Sequence, residues 1–458
     1  MKRKVLICQL LTLALVCLMV MTACSKTDSN INNANPKETE QTGQTNQEEV
    51  DVDPPKEEEE HEPVTLKLLA WHVGAHQELF DMFHEKYPWI TIEVEEWGID
   101  KAIAMQAAGE PADLVWITGL SPWLKDGMLE DLTPYIANDP TIQNAKIIDG
   151  FLEAFKTPDD KLWAVPYTAI SEWIIVNKDL LKKHGMEMPP YDWTYDDMLE
   201  MAKKATDPAA NEYGISYDSL MASHFNWILP VANGHAPNLR FFNEDLSQNL
   251  LNTPDVLADM KWLQELTTKW HVRPSDEEAE KLGWEKANNF LTGKVLFTLG
   301  ADWVIPGYNE LATFDWDVLP LPRGKEKQVT VQLLGPIAML SASKNKDAAF
   351  KWISFQFELE AQKWNVKNGS NTFVIHPDID DEIDRTPTWK GKNTEVIKMT
   401  KEMCCYLPGP TIPDFDEFQN IDAALFESMY KEFDITSLVS RVDKFNESTM
   451  KLRKEMGW

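Results

Sequence analysis

From Val64 onward the chain alternates short apolar runs with longer stretches in which apolar residues recur every three or four positions. VTLKLLAW (64–71) is a strand pattern with a nearly continuous apolar end. His76 to Tyr87 carries Leu79, Phe80 and Phe83 at helical spacing and stops before Pro88, whose ring disfavours helix in the residue ahead of it. ITIEVEEW (90–97) then alternates apolar and acidic positions, as a strand with one wet face does. Strand, helix and strand in this order predict a β-α-β unit with a parallel pair. The pattern continues with a helix near Lys101–Gly109, a short strand DLVWI from Asp113 and a helix near Pro122–Gly127. A second α/β set opens at SEWIIVNKDLL, from Ser171, and further strands are predicted at Val295–Leu299, at WDVLPLP around Trp316 and at Ile337–Leu340. Long helices are predicted near Trp193–Thr206, Pro254–Trp270 and Asp347–Trp364 and beyond Asp414, with no internal repeat. The fold class is α/β.

The first sixty or so residues follow other rules. Lys2, Arg3 and Lys4 form a positive n-region, and Val5–Val20 is an apolar run too short for an ordinary membrane span. The run ends in VMTACS, which resembles the lipobox of bacterial lipoproteins, where the cysteine, here Cys24, is acylated and becomes the new N-terminus. Met21 stands where that pattern usually has leucine. The competing expectation is an ordinary cleaved signal with a stray cysteine. Two or more acyl chains, at about 0.8 kcal/mol per buried CH₂, hold a protein to a membrane where one does not. Residues 1–23 are thus expected to be a signal peptide and residues 24–63 a lipidated cysteine with its tether. Ser25–Pro63 carries twelve acidic and three basic residues with no Phe, Trp or Tyr, and so cannot bury enough apolar area to offset its chain entropy.

The net charge of −30 changes the list of partners. Nucleic acid is excluded, because its phosphates repel such a surface. Of five cysteines, Cys8 and Cys17 leave with the signal and Cys24 is the lipidation site. Only Cys404 and Cys405 remain, and adjacent cysteines rarely form a useful bridge, so neither a disulfide framework nor a zinc site is expected. His72 and His76 stand four apart, the spacing of a metal pair on one helix face. His72, however, ends a strand and His76 begins a helix. They do not share a face, and no metal or other cofactor is expected.

Several ordered segments carry a family resemblance. MQAAGEPADLVWITGLSPWLKDGMLEDLTPYI (105–136), KLWAVPYTAISEWIIVNKDLLKKHGMEMPPYDWTYDDML (161–199), FLTGKVLFTLGADW (290–303) and SKNKDAAFKWISF (343–355) resemble, in order and spacing, segments of the extracellular solute-binding proteins of sugar-type ABC importers, the maltose-binding-protein-like group. The family's Pro-Asp is here Pro111-Ala112-Asp113, and its Tyr-Asn-Lys is Val176-Asn177-Lys178. The resemblance runs from Val64 to the C-terminus. It implies a two-lobed periplasmic-binding-protein-like fold of type II, each lobe a mainly parallel sheet flanked by helices, with the ligand cleft between them. Matched motifs place one lobe at residues 64–168 plus 335–377 and the other at 169–334 plus 378–458. The implied function is capture of a mono- or oligosaccharide by hinge closure and its delivery to the transmembrane subunits of an ABC permease. The protein is expected to act as a monomer, lipid-anchored on the extracytoplasmic face of the cell membrane.

Sugars present apolar C–H faces and a rim of hydroxyls, so their sites need aromatic plates and fixed polar groups. Most of the 18 tryptophans are expected in the core, among them Trp193, Trp262, Trp270, Trp352 and Trp364 on helices. Others follow strand ends or turns and are candidate contacts. The resemblance implies stacking by Trp303, with Asp302 beside it as a hydroxyl acceptor or a helix cap. Trp71 and His72 end the first strand. Trp116, Thr118 and Ser121 match a cleft-lining loop. Tyr167 follows a crossover proline, with Ser171 and Glu172 beyond it, and Trp227 and Asn233 match a contact region of the second lobe. Phe415 and Phe418 are candidates to close one end.

Two rival functions share parts of this pattern. A glycosidase needs two carboxylates flanking one bond, and 74 acidic residues supply pairs by chance without singling one out. Glu95 and Glu96 alternate badly for one face, Asp380 and Asp381 are expected in a polar turn, and no Gly-x-Ser-x-Gly, P-loop or His-Glu-x-x-His motif occurs. A solute-sensing lipoprotein feeding a membrane kinase would use the same cleft and differ only in its partner. The expected protein is a binder, not an enzyme.

Overall fold

The computed structural model describes residues 61–71, 76–217, 219–284, 288–407, 415–430 and 435–456. Cys24, the rest of the proposed signal and tether as far as Glu60, and His72 lie outside them. Strand β1 (Val64–Ala70), helix α1 (Gln77–Lys86) and strand β2 (Ile90–Glu96) form the expected β-α-β unit, with Val64 opposite Ile90 in parallel register. Leu79, Phe80 and Phe83 are buried on α1, as their spacing requires. Helix α2 (Ile99–Ala107) leads to the short strand β3 (Leu114–Trp116), parallel to β1 on its other side.

The remaining strands are β4 (Val165–Asn177), β5 (Tyr213–Ile215), β6 (Val295–Ala301), β7 (Trp316–Leu319), β8 (Gln332–Met339) and β9 (Tyr406–Leu407). Hydrogen bonding orders them β2-β1-β3-β8-β4-β6-β5, with β7 also on β4 and β9 also on β8. The thirteen-residue β4 divides this path. Its first part, Val165–Ser171, pairs antiparallel with β8, and its second part, Glu172–Asn177, pairs antiparallel with β6 and β7. One strand therefore belongs to two sheets. Both sheets are mixed: β1 runs parallel to β2 and β3, and β5 to β6, whereas β8 runs antiparallel to β3 and β4, and β4 antiparallel to β6 and β7.

The register decides which edges face each other. β4 antiparallel to β8, and β8 antiparallel to β3, means that β4 runs in the direction of β3 and leaves the first sheet past the C-terminal ends of β1–β3. It enters the second sheet with Glu172 opposite Ala301, the C-terminal end of β6. The C-terminal ends of the parallel strands in the two sheets thus confront each other across residues 168–172.

Several sequence expectations need correction. The predicted helix Asp347–Trp364 is two, α6 (Lys346–Phe355) and α7 (Leu359–Lys367), and Asp380 and Asp381 lie on a helix, Pro377–Arg385. The sequence placed a strand start at Ser171, but β4 begins at Val165. Residues 165–169 are buried on both faces, so no alternation marks them, and Pro166 is accommodated at a register shift between Pro166 and Thr168. Cys404 and Cys405 form a disulfide between neighbours, which the sequence reading did not expect; it closes no loop of chain. Trp193, Trp352 and Trp364 are core residues, and Trp262 and Trp270 pack partly buried against the second hydrophobic core. Among the described residues no helix is long and apolar enough to cross a membrane.

Gly335 of β8 lies opposite Thr168, and a Cβ there would sit 2.6 Å from the Thr168 methyl and 2.8 Å from the Tyr167 ring. Gly335→Ala should therefore destabilise the protein by about 1–3 kcal/mol through overpacking. Urea unfolding measures it; an unchanged midpoint would show that Tyr167 withdraws without loss.

Candidate functional site

A tryptophan stands at the C-terminal end of three neighbouring strands: Trp71 just after β1, Trp97 just after β2 and Trp116 as the last residue of β3. In open α/β sheets the carboxyl ends of parallel strands are where ligands gather. Trp116 is buried beneath the others, its ring stacked on Tyr167 at 4.3 Å and 9°. Trp71 packs edge-on against both Trp97 (5.4 Å) and Trp116 (5.7 Å). Trp97, 40% exposed, donates its indole N–H to the Trp116 carbonyl at 2.6 Å, which fixes its ring on the rim. His76, which precedes α1, meets the rings of Trp116 (5.0 Å), Tyr167 (6.3 Å) and Trp364 (5.4 Å). Burial lowers the His76 pKa below the usual histidine range, which favours the neutral imidazole, and raises that of the Tyr167 hydroxyl.

Beside this aromatic edge runs the seam where β4 changes sheets. Ser171 donates its hydroxyl to Gln332 Oε1 (2.8 Å), receives the Asn371 amide (2.8 Å) and gives its backbone N–H to Asp302 Oδ2 (3.1 Å). Gln332 donates in turn to the Thr400 carbonyl at 2.7 Å, and Thr330 Oγ1 to the Glu172 carbonyl at 2.6 Å. Glu172, fully buried, pairs through Oε1 with His224 Nδ1 on helix α4 (Ser219–Ala232). Asp302 is 3% exposed, and desolvation holds its carboxyl well above the usual carboxylate range. It is a seam residue tied to Ser171, while the next residue, Trp303, is 49% exposed at the end of β6. Among the described residues, Trp303 and Trp97 are tryptophans left substantially exposed.

Four buried side-chain atoms without a hydrogen-bond partner among the described residues also lie here: His76 Nδ1, Trp116 Nε1, Thr168 Oγ1 and Glu172 Oε2. Buried polar groups are ordinarily paired, so the aromatic edge and the seam are one place where buried polar atoms lack a partner among the described residues. Chemically the arrangement offers flat apolar plates, neutral donors and acceptors and a buried carboxylate. Among the described residues no group of three or more His, Cys, Asp or Glu side chains is placed to hold a metal ion.

Of the residues singled out in the sequence, the structure gathers Trp71, Trp116, Tyr167, Ser171, Glu172, Asp302 and Trp303 around residues 167–172 of β4. Thr118 is exposed two residues beyond β3, and Ser121 opens the short helix that follows. Trp227 stands one layer back. Its ring stacks on His224 at 4.5 Å, its indole donates to Asp422 (2.7 Å), and the Arg240 guanidinium lies 5.0 Å from its centroid. Asn233 is elsewhere, its amide bonded to Asp259 at 2.8 Å in a separate pocket. Phe418 packs in the second core against Phe242 and Phe445 rather than at a rim. His72 and the Phe415 side chain lie outside the described residues. Trp97 was missed, although it ends ITIEVEEW as Trp71 ends VTLKLLAW; the same strand-end signal finds it.

Comparison with known proteins agrees with this architecture. Residues 70–363 match the family described as bacterial extracellular solute-binding protein. A putative binding protein of Brucella abortus (strain 2308) is 23% identical over 365 residues, covering 77% of this chain and 84% of the relative. An ABC substrate-binding protein from Listeria monocytogenes, solved in complex with cycloalternan, superposes with a TM-score of 0.68 at 23% identity, over 87% of this chain and all of that one. A cyclic alpha-maltosyl-1,6-maltose binding protein from Arthrobacter globiformis gives the same TM-score at 17% identity, over 85% of this chain and 99% of the other.

The raised Asp302 pKa makes a signed prediction. A carboxyl that holds its proton more tightly folded than unfolded takes stability away as pH rises above its ordinary value of 3.8. Asp302→Asn, the shape of the protonated acid without its titration, should lose less stability than the parent between pH 4 and 8. Urea unfolding across that range tests it; parallel pH profiles would show that Asp302 does not carry the effect.

Proposed function

Because this chain belongs to the bacterial extracellular solute-binding proteins, we propose that it is the lipid-anchored capture subunit of an ABC importer and that its solute is a carbohydrate. The observation that carries this reading is the pair of opposed aromatic edges. Trp71 and Trp97 follow the ends of strands of one sheet and the half-exposed Trp303 follows the end of β6 in the other, on either side of the β4 seam. A sugar ring entering between them meets an indole on its C–H face and neutral hydrogen-bonding groups at its rim. The carbohydrates named for the Listeria and Arthrobacter proteins support the same ligand class.

In this reading one lobe comprises residues 64–168 with 335–377 and the other 169–334 with 378–458, close to the switch of β4 at Ser171–Glu172. The lobes close about β4, the strand shared by both sheets, and its neighbour β8, and the closed form is what the permease recognises. No bond in the sugar breaks. Of the seam carboxylates, Asp302 bonds the Ser171 N–H and Glu172 bonds His224 through Oε1, which leaves Glu172 Oε2 as a single acceptor rather than one of a pair flanking a glycosidic bond. Cys24 carries the lipid that holds the protein, a monomer, to the extracytoplasmic face of the cell membrane, and the acidic tether gives it reach.

Affinity is expected to be micromolar or tighter, roughly −8 kcal/mol, since the solute must be both captured and released. Trp303→Ala should weaken binding by about 1–3 kcal/mol, measured by titration calorimetry against malto-oligosaccharides and cycloalternan, with the sugar recovered unhydrolysed. Unchanged affinity removes Trp303 from the site, and products in place of intact sugar remove the binder reading. Cys24→Ala should shift the protein from the detergent-rich to the aqueous phase on Triton X-114 partitioning of cells; retention would show that the anchor lies elsewhere.

A further inference from the structure

Asn233, expected from sequence in the cleft, lines a different cavity of about 440 Å³ in the second lobe. His224, near the start of α4, touches Glu172 at the seam, whereas Asn233 follows nine residues later, roughly 13 Å further at 1.5 Å per helical residue. The cavity is walled by the start of helix α3 (Tyr195–Ala205), the end of α4, the first turns of helix α5 (Pro254–Thr268) and the loop at Arg323–Lys325.

Its chemistry is specific. Asp259, 5% exposed, has both carboxylate oxygens occupied, Oδ1 by the Asn233 amide at 2.8 Å and Oδ2 by His235 Nδ1 at 2.6 Å. Asn233 is held from its other end as well, its Oδ1 accepting the Lys325 N–H at 2.9 Å. Both side chains are thereby fixed in direction before any ligand arrives. Trp262, only partly buried, supplies a flat apolar wall and packs edge-on to Tyr195 at 5.8 Å. The Tyr195 hydroxyl is the second observation. It is buried, belongs to a lining residue that is 5% exposed, and has no hydrogen-bond partner among the described residues. The charges lining the cavity, Arg323 and Lys325 against Asp196, Asp255 and Asp259, do not suit a polyanion.

We propose that this cavity is a second binding pocket, for a neutral saccharide, separate from the cleft. A pyranose ring lies against Trp262, and its hydroxyls meet the Asn233–Asp259–His235 group; the Tyr195 O–H, whose oxygen is closed to solvent in this structure, is met as the wall shifts on binding. With an indole on one side only and an open rim, its grip is weaker than that of a cleft closing from two sides. It retains a second saccharide, or the trailing part of a long one.

The test uses saturation-transfer NMR of the full chain with glucose and with maltotriose at roughly millimolar concentration, where a weak site exchanges fast enough to be seen. Parent protein and Trp303→Ala should show the same millimolar event. Trp262→Ala should weaken it about tenfold, and Tyr195→Phe, which keeps the ring and its packing, by about threefold or more. The proposal is overturned if neither sugar gives such an event with the parent. It also fails if Trp303→Ala abolishes the event, which would place it in the cleft, or if Tyr195→Phe and Trp262→Ala leave it unchanged. Loss of the cleft reading would leave this outcome readable, because the event is scored in the Trp303→Ala background too.

Discussion

The architecture depends on the backbone hydrogen bonding of one strand. Residues 165–171 of β4 are laced to β8, and residues 172–177 to β6 and β7, so a single extended segment is structurally part of both sheets. Strand direction then leaves little freedom: the C-terminal edges of β1–β3 and of β6 must look at each other over residues 168–172. Every candidate site residue that the structure gathers is placed by that register. The aromatic edge hangs on the ends of β1, β2 and β3, and Asp302–Trp303 hangs on the end of β6.

The seam is polar where a plain core would be apolar. Ser171, Gln332, Asn371 and Thr400 satisfy one another in a chain, and Thr330 caps the Glu172 carbonyl. Fully paired networks of this kind specify one arrangement of their strands, because any slip strands a buried donor or acceptor at about 1–3 kcal/mol. Glu172 Oε2 and Thr168 Oγ1, both on β4, are without partners among the described residues, as are the Trp116 Nε1 and His76 Nδ1 nitrogens of the aromatic edge. The network is satisfied along the strands, while these buried atoms at the aromatic edge and the seam are left without a partner among the described residues.

The tryptophans divide by layer. Trp116 is buried and stacked, and its carbonyl orients Trp97; it is a foundation for rings that touch water. Trp303 has no such stacking neighbour among the described contacts and projects half-exposed from the opposite edge. The Trp262 pocket uses the same materials, an indole wall and preset polar groups, but at the far end of α4 and on one lobe alone.

Much of this was legible in the residues themselves. Period-two and period-3.6 patterns located β1, α1, β2 and the helices near 195 and 254, because those elements have one wet and one dry face. Strand ends followed by tryptophan pointed to Trp71, Trp116 and Trp303, and the same rule would have found Trp97. What the sequence could not determine was anything set by pairing between distant strands. The early start of β4 is hidden because burial on both faces erases alternation. The inward turn of Asp302 depends on Ser171, and Glu172 on His224, partners 131 and 52 residues away. Asn233 reads as a neighbour of Trp227 along the chain, yet a helix carries it to another pocket. Local pattern decides which residues are apolar or polar on an element; only tertiary hydrogen-bond register decides which ends of those elements meet.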